Sequence, residues 1–431
     1  MKTEECSRLH DIAPYLLGEG STAQREVIAM HIEQCETCHS FHDNHIGLIN
    51  QLRTCSTTPA ANVSSAVFEK LDRRNSTPFL HPWWLRAAAV LIAAAGITLM
   101  LRQGQHTPAT VSTADRQLQS SLEWLAANQQ LDGSWSPSDW NGRESFKIGL
   151  TAAAMLGFVE AGLENQFQQQ CGNTAGFLLK QQAADGSFGE ENEVRMYNHA
   201  LATYALLRYA GFPDDGPVRT ALERALSFIT ENQDAFGGWG YVAKGRTTQP
   251  NSAITLWQLQ VLHAARQAGW HDTRGSYNRG LLWLENVLDH DGRPGYRYTG
   301  DNEGATTALT AAAALCLFQS MSSMPDAPQL PDNTITLVEN LLSTEGRIHD
   351  LYESFWLAKN LPVIPENKRD ENCSRMQQRL SPLYVEHGEY AGSWNPDSRW
   401  GNIGGRLYST VFGILTLSES RRHDSAFIAG I

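Results

Sequence analysis

The sequence predicts an all-α protein whose larger part is a closed double ring of six helix pairs. Three observations predict it. A short glycine-centred turn recurs along the second half and beyond, at intervals of roughly 46 to 55 residues. Each turn lies between one amphipathic helical pattern and one that is apolar almost all round. Ahead of these repeats stands one uncharged apolar run, and ahead of that a compact group of cysteine and histidine at helical spacing.

The first segment reads as two short helices. Residues 6–18 place Leu9, Ile12, Ala13, Leu16 and Leu17 on one face, and Gly18 and Gly20 end the helix. Ser21 with Gln24 three residues on is a capping box, so a second helix starts near Thr22 and carries Val27, Ile28, His31 and Ile32. His31 and Cys35 are four apart and share a helix face, and Cys38 follows three residues later. A Cys-x-x-Cys with a histidine one turn upstream supplies three ligands for tetrahedral zinc. A closed structural site needs a fourth, for which Cys6, His10 and Cys55 are candidates. A dithiol redox pair is the competing reading, but the strand–helix frame of a thioredoxin-like site is missing. His39, His42 and His45 read as a polar helix face.

Cys6, Tyr15-Leu16-Leu17-Gly18-Glu19 and His31-x3-Cys35-x2-Cys38 together resemble the zinc-finger domain of anti-sigma factors, over residues 4–52. The resemblance implies zinc on Cys6, His31, Cys35 and Cys38. It also implies a sigma factor of the extracytoplasmic-function type as partner, clamped by a further helix. Residues 63–74, with Val63, Val67, Phe68 and Leu71 apolar, occupy that place. A few tens of residues bury too little apolar surface to fold unaided, which is why such a head needs its metal.

Residues 83–101 read as a transmembrane helix. No charged side chain occurs over 87–101, and the run from Trp83 approaches the roughly 20 residues needed to cross a bilayer. Arg86 can snorkel, Trp83 and Trp84 form half an aromatic belt, and Arg102 closes the far end. A signal peptide would start near residue 1, and a buried core helix would show an amphipathic face. Lys70, Arg73, Arg74 and Arg86 on the amino side against Arg102 alone predict a cytoplasmic N-terminus. The C-terminal part is then periplasmic, on the inner membrane of a Gram-negative-type cell. The net charge of −12, with neither side of the span basic, excludes direct nucleic-acid binding.

Residues 102–114 form a polar tether to the repeats. Gln130-Leu131-Asp132-Gly133-Ser134-Trp135 returns around Asp185-Gly186-Ser187-Phe188, Gly237-Gly238-Trp239 and Asp291-Gly292. Worn copies stand at Gly346 and at Gly392-Ser393-Trp394. The amphipathic member of each pair is typified by Leu222, Leu226, Phe228 and Ile229, the apolar member by residues 149–161, 200–210, 253–265 and 305–318. Helices apolar on every side are buried on every side, which gives an inner and an outer ring. The expected organisation is a head over 1–54, a juxtamembrane helix or linker over 55–82, the span over 83–101, the tether over 102–114, the ring over 115–421 and a tail over 422–431.

The Gln-x-x-Asp-Gly-Ser-(Trp/Phe) repeat resembles that of squalene cyclases and protein prenyltransferase β-subunits, which implies an α6/α6 toroid over about 115–420. Their catalytic residues do not carry over. The adjacent pair Asp214-Asp215 lies in a Pro-Asp-Asp-Gly-Pro turn, not in an Asp-x-Asp-Asp motif. Glu371-Asn372-Cys373 with His387 departs from the prenyltransferase zinc set, and Cys171-Gly172-Asn173-Thr174 lacks the Gln of a thioester. The expectation is therefore no catalytic residue, no activity and a sensor toroid with an unknown periplasmic ligand or protein partner, on an anti-sigma factor. The alternative is a membrane-tethered toroid enzyme acting on a lipid or glycan, with the acidic loops Glu190-Glu191 and Asp301-Asn302-Glu303 at one mouth. His199, His263 and His349 read as satisfied core groups. Trp257, Tyr204, Phe355 and Trp356 line either a central cavity or the packed core.

Overall fold

The computed structural model describes residues 22–35, 38–39, 112–211, 216–241, 249–300, 306–322, 332–343, 350–398 and 400–423. The chain divides into two compact units, residues 53–116 and the remainder. The first is described only from 112 onward, where a helix begins. Cys6, Cys55, the helix expected over 63–74 and the span expected over 83–101 lie outside the described residues. No helix among the described residues is long and apolar enough to cross a membrane.

The described residues are all-α, with three isolated β-bridges and no strand. Helix α1 is Thr22–Gln34, as its capping signature predicts. Twelve further helices alternate between two layers. The outer layer is α2 (Thr113–Ala127), α4 (Gln168–Gln181), α6 (Pro217–Glu231), α8 (Arg274–Val287), α10 (Asp332–Ser343) and α12 (Glu366–Leu380). The inner layer is α3 (Lys147–Glu160), α5 (Arg195–Ala210), α7 (Ser252–Gln267), α9 (Thr307–Ser322), α11 (Leu351–Lys359) and α13 (Gly401–Arg422). Each inner helix packs on the next, and α13 packs back on α3, so the ring closes. The fold is an all-α toroid.

The sequence pattern explains the layering. Helix α6 buries Ala221, Leu222, Ala225, Leu226, Phe228 and Ile229, one stripe at helical spacing. Helix α3 buries every residue from Gly149 to Phe158, because it has neighbours on all sides.

The recurrent turns join outer to inner helices and fasten each pair to the next. The side-chain N–H of Gln129 donates to the carbonyl of Gly133 in its own turn (3.1 Å) and to that of Gln170 on the next outer helix (2.9 Å). Gln182 does the same with Gly186 (2.9 Å) and Ala221 (2.8 Å), and Gln233 with Gly237 (2.7 Å) and Ser276 (2.8 Å). Asp132 and Asp185 accept from the backbone N–H of Ser134 (3.0 Å) and Ser187 (3.1 Å) to close their turns. Gly133 and Gly237 take φ of 91° and 98°, and a Cβ there would collide with the carbonyl oxygens of Asn173 and Arg279. The turn aromatics point inward. Trp135, Trp239 and Trp394 are fully buried, and their backbone N–H groups donate to Thr151 (3.1 Å), Thr255 (3.0 Å) and Thr410 (3.1 Å) on the following inner helices. The last turn also shuts the ring, since the Trp394 indole N–H donates to Ser121 Oγ on α2 (3.0 Å).

Candidate active site

An aromatic plug divides the inner ring into two ends. Trp257 of α7 stacks on Phe355 of α11 at 6.1 Å and 12°, and meets Trp356 edge-on at 5.0 Å. Phe355 in turn meets Phe412 of α13 at 5.7 Å. None of these four rings is more than 2% exposed. Trp257, Phe355 and Trp356 fill the centre themselves, so for these three the packed-core reading holds; Tyr204 meets Trp257 edge-on at 6.4 Å and lines a cavity on its other side.

Five half-buried tyrosines gather at the end where the inner helices begin. Tyr197 and Tyr352 lie in the first turns of α5 and α11, and Tyr408 lies just past a break in α13 at Gly405. Tyr241 and Tyr296 come from the third and fourth turns. The rings of Tyr197 and Tyr241 are 6.1 Å apart, and the hydroxyls of Tyr241 and Tyr296 are hydrogen-bonded. The Trp257 indole N–H donates to the Tyr352 hydroxyl at 2.9 Å, tying the group to the plug.

Asp350 completes this mouth. It is the N-cap of α11, and its Oδ1 accepts from the Tyr352 backbone N–H at 2.7 Å. The Tyr408 hydroxyl donates to the same oxygen at 3.0 Å, and the Trp400 N–H donates to Oδ2 at 3.1 Å. The residue is 8% exposed, and among the described residues no basic side chain is ion-paired with it. The carboxylate is held by neutral donors in a largely buried position.

Tyr197, Tyr352 and Tyr408 stay protonated. Burial, then Asp350, pushes the Tyr408 hydroxyl pKa well up. Burial, then Tyr352, Tyr241 and Tyr296, does the same for Tyr197. The mouth therefore offers phenol hydroxyls, aromatic faces and one carboxylate, the groups that recognise a polyhydroxy ring with apolar faces. Acid–base chemistry by carboxyl groups commonly needs a second one in a different environment. Glu144 precedes α3, Glu191 precedes α5 and Glu353 lies on α11, so all three stand toward the same end of the inner helices. Glu144 accepts from Ser136 Oγ at 2.6 Å and Ser138 Oγ at 3.0 Å; these bonds and Lys147 outweigh burial and lower its pKa.

The residues singled out in the sequence fall elsewhere or outside. Asp214-Asp215, Asp301, Glu303 and His349 lie outside the described residues. His199 is fully buried; its Nδ1 accepts from the Phe188 N–H at 3.1 Å, and its Nε2 donates to the Ala225 carbonyl at 3.2 Å. Burial lowers its pKa to about 3, so it is a neutral structural group. Cys171 and Cys316 are buried thiols with pKa values pushed up to about 12 by burial, which leaves them unreactive at neutral pH. Asp350 and the tyrosine group were missed. Asp350 directly before the aromatic-rich stretch Leu351–Ala358 is an N-cap signal, and the tyrosines recur near inner-helix starts, but sequence gives no hint that they converge.

In the N-terminal part, α1 carries His31 near its end, and Cys35 and Cys38 follow. The ligand atoms of these three residues lie within 4.8 Å of one another, with His31 Nε2 3.4 Å from Cys38 Sγ. Tetrahedral zinc at ~2.0–2.3 Å from each donor requires donor separations of about 3.3–3.8 Å. The three side chains fit that ion with small adjustments, and nitrogen with two sulfurs is a zinc-selective set. Cys6, the expected fourth ligand, lies outside the described residues.

No protein-family model matches the chain, and no curated protein matches it. Solved structures do. One is an inactive variant, with two aspartates replaced, of the GH76A α-1,6-mannanase of Salegentibacter sp. HEL1_6 in complex with α-1,6-mannotetrose. It is 12% identical with a TM-score of 0.55, over 73% of this chain and 100% of that one. A further structure of the same GH76A α-1,6-mannanase gives 12% identity and a TM-score of 0.55, over 72% of this chain and 99% of that one. An α-amylase from Clostridium perfringens gives 10% identity and 0.51, over 70% and 97%. At these identities the likeness shows the toroid fold.

The sequence reading is corrected accordingly. The expected kinship with anti-sigma factors, and with squalene cyclases and prenyltransferases, is not what the comparisons return. The similar toroids are glycoside hydrolases. The associated expectations of transcription regulation and signal transduction lose their basis, and so does the expectation of a toroid without activity. That expectation rested on the absence of squalene cyclase, prenyltransferase and thioester motifs, and the similar structures named above are of other enzymes.

Proposed function

We propose that the toroid is a glycan-acting enzyme whose sugar site is the tyrosine mouth and whose central acid–base group is Asp350. The observation that carries this reading is the buried Asp350 carboxylate, oriented by Tyr352 N–H, Tyr408 hydroxyl and Trp400 N–H within a group of five half-buried tyrosines. The shared architecture with an α-1,6-mannanase and an α-amylase supports α-linked oligosaccharides as the first substrates to test. Glu144, Glu191 and Glu353 are the candidates for the second carboxylate. Titration of the full-length protein with α-1,6-mannotetraose and maltotetraose, followed by aromatic fluorescence, tests the site. Saturable binding that Tyr197→Ala and Tyr352→Ala weaken at least tenfold supports it. Equal binding in both variants refutes it.

The N-terminal cluster supports a zinc site on His31, Cys35 and Cys38, completed by Cys6. The ion would fix the end of α1 against the chain that follows it. The uncharged run over 87–101 supports a membrane anchor at 83–101, with the toroid on the periplasmic face, where polymeric glycans are met. Protease accessibility of the toroid in spheroplasts, against intact cells, tests this topology.

A further inference from the structure

The opposite end of the inner ring, where the inner helices finish, holds a cavity of about 410 Å³. That is within the range of small-molecule sites, roughly 300–1,000 Å³. Its wall carries five charged side chains drawn from four inner helices: Glu160, Arg208, Lys359, Glu419 and Arg422. Three cations face two carboxylates. Glu160 is bound by Arg208 Nε at 2.8 Å and by Arg422 Nη2 at 2.6 Å. Glu419 is bound by Lys359 Nζ at 3.0 Å and by Arg422 Nη1 at 3.4 Å.

Glu160 is therefore ionised. For Glu160, burial is outweighed by Lys359, Arg422 and Arg208, and the pKa falls to about 2. Lys359 is charged as well, since Glu419, Tyr204 and Glu160 outweigh its burial. The wall therefore carries one more cation than carboxylate: Lys359, with 12% of its side chain exposed, is paired with Glu419, while Arg208 and Arg422 are 42% and 35% exposed. Among the described residues the Lys359 ammonium spends one of three N–H bonds, on Glu419.

The rest of the wall is neutral and hydrogen-bonding. The amides of Gln260 and Gln319 bond to each other at 2.8 Å beside Tyr204 and His263. His263 is kept neutral, its pKa lowered to about 4 by burial and then by Arg266 and Lys359. Amides, a phenol and a neutral imidazole suit hydroxyl groups, and the surplus cation suits one carboxylate.

We infer that this cavity is a second ligand site, separate from the tyrosine mouth, that takes a small acidic sugar through its carboxylate. The occupant is a uronic acid of about one or two rings, its carboxylate seated between Lys359 and Arg208 and its hydroxyls on the amide wall. The aromatic plug of Trp257, Phe355 and Trp356 lies between the two ends, so the two sites are filled independently.

Calorimetric titration of the full-length protein with D-glucuronate and digalacturonate, beside D-glucose and glucose 6-phosphate, tests the inference. Saturable binding of a uronate is expected, with no binding of glucose over the same range and weaker binding of the phosphate. Lys359→Gln should abolish it. Because that change leaves Glu419 short of a partner and can harm the fold, Arg208→Gln is the second variant. Arg208 is half-exposed and Glu160 keeps Arg422, so this variant should fold and bind at least tenfold more weakly. Asp350→Asn should bind the uronate as the wild type does, which separates this site from the mouth. No uronate binding, equal binding of glucose, tighter binding of the phosphate, or unchanged binding in a folded Arg208→Gln would each overturn the inference.

Discussion

Asp350 and Lys359 stand at the two ends of one helix. Asp350 caps α11 at the tyrosine mouth, and Lys359 is its last residue, in the charged cavity at the far end. The helix between them has nine residues, about 13 Å at ~1.5 Å per residue. It also carries Phe355 and Trp356 of the plug. One short element thus positions a carboxylate at one end of the ring, a cation at the other and the seal between them.

A helix this short is not stable by itself, so its cap matters. Asp350→Ala removes the cap and leaves the Tyr408 hydroxyl without its acceptor. A loss of about 2–4 kcal/mol is expected. Asp350→Asn keeps an Oδ1 for both Tyr352 N–H and Tyr408 and deprives only the Trp400 N–H. It should cost about 1 kcal/mol. Urea denaturation of the two variants measures the difference, and equal losses would mean that the cap is not what Asp350 supplies.

The turn glycines should be far less replaceable than glycines inside helices. Gly237→Ala forces a Cβ into the Arg279 carbonyl at a φ of 98°, for an expected loss of at least about 2 kcal/mol. Gly176→Ala places its methyl in open space within α4 and should stabilise by about 0.5–1 kcal/mol. Denaturation midpoints of the pair, opposite in sign, check this.

Stability should decline on the acid side from near neutrality. His199 and His263 have folded-state pKa values of about 3 and about 4, below the ordinary 6.5. The unfolded chain therefore takes up their protons first, and stability that is complete above pH 6.5 is lost as the pH falls toward those values. Glu160, held at about 2 against an ordinary 4.5, adds a further loss below pH 4.5. The melting temperature should fall from pH 6.5 downward. The slope between pH 6.5 and 4.5 should be shallower in His199→Gln, which keeps an acceptor and a donor but does not titrate.

Full-length protein should carry one zinc per chain by elemental analysis, reduced to background in Cys35→Ser and in Cys38→Ser. Protein that folds with no metal, and gains none on zinc titration, would contradict the site on His31, Cys35 and Cys38.

The ring was legible because its signals are local and repeated. The Gln129, Gln182 and Gln233 positions, the Asp-Gly turns and the buried tryptophans each perform the same bonding in successive copies, so the pattern states the architecture. The site was not legible. Asp350 follows a copy too worn to mark its turn, and Tyr197, Tyr241, Tyr296, Tyr352 and Tyr408 come from separate repeats, without a motif. Only ring closure brings them together. The motifs of squalene cyclases and prenyltransferases are clustered signatures, whereas the candidate residues here are spread one per repeat. His31 and Cys35 are legible for the opposite reason: they share one helix face, and spacing alone brings them close.

The central claim is that Asp350 at the tyrosine mouth performs chemistry on a glycan. The most direct measurement is chromatographic product analysis of full-length protein incubated with α-1,6-mannotetraose and maltotetraose, beside Asp350→Asn at matched folding. The account predicts shorter oligosaccharides from one of the two substrates with the wild type, and a rate at least a hundredfold lower with Asp350→Asn while binding persists. Intact substrates with the wild type, or undiminished turnover in the variant, would contradict it.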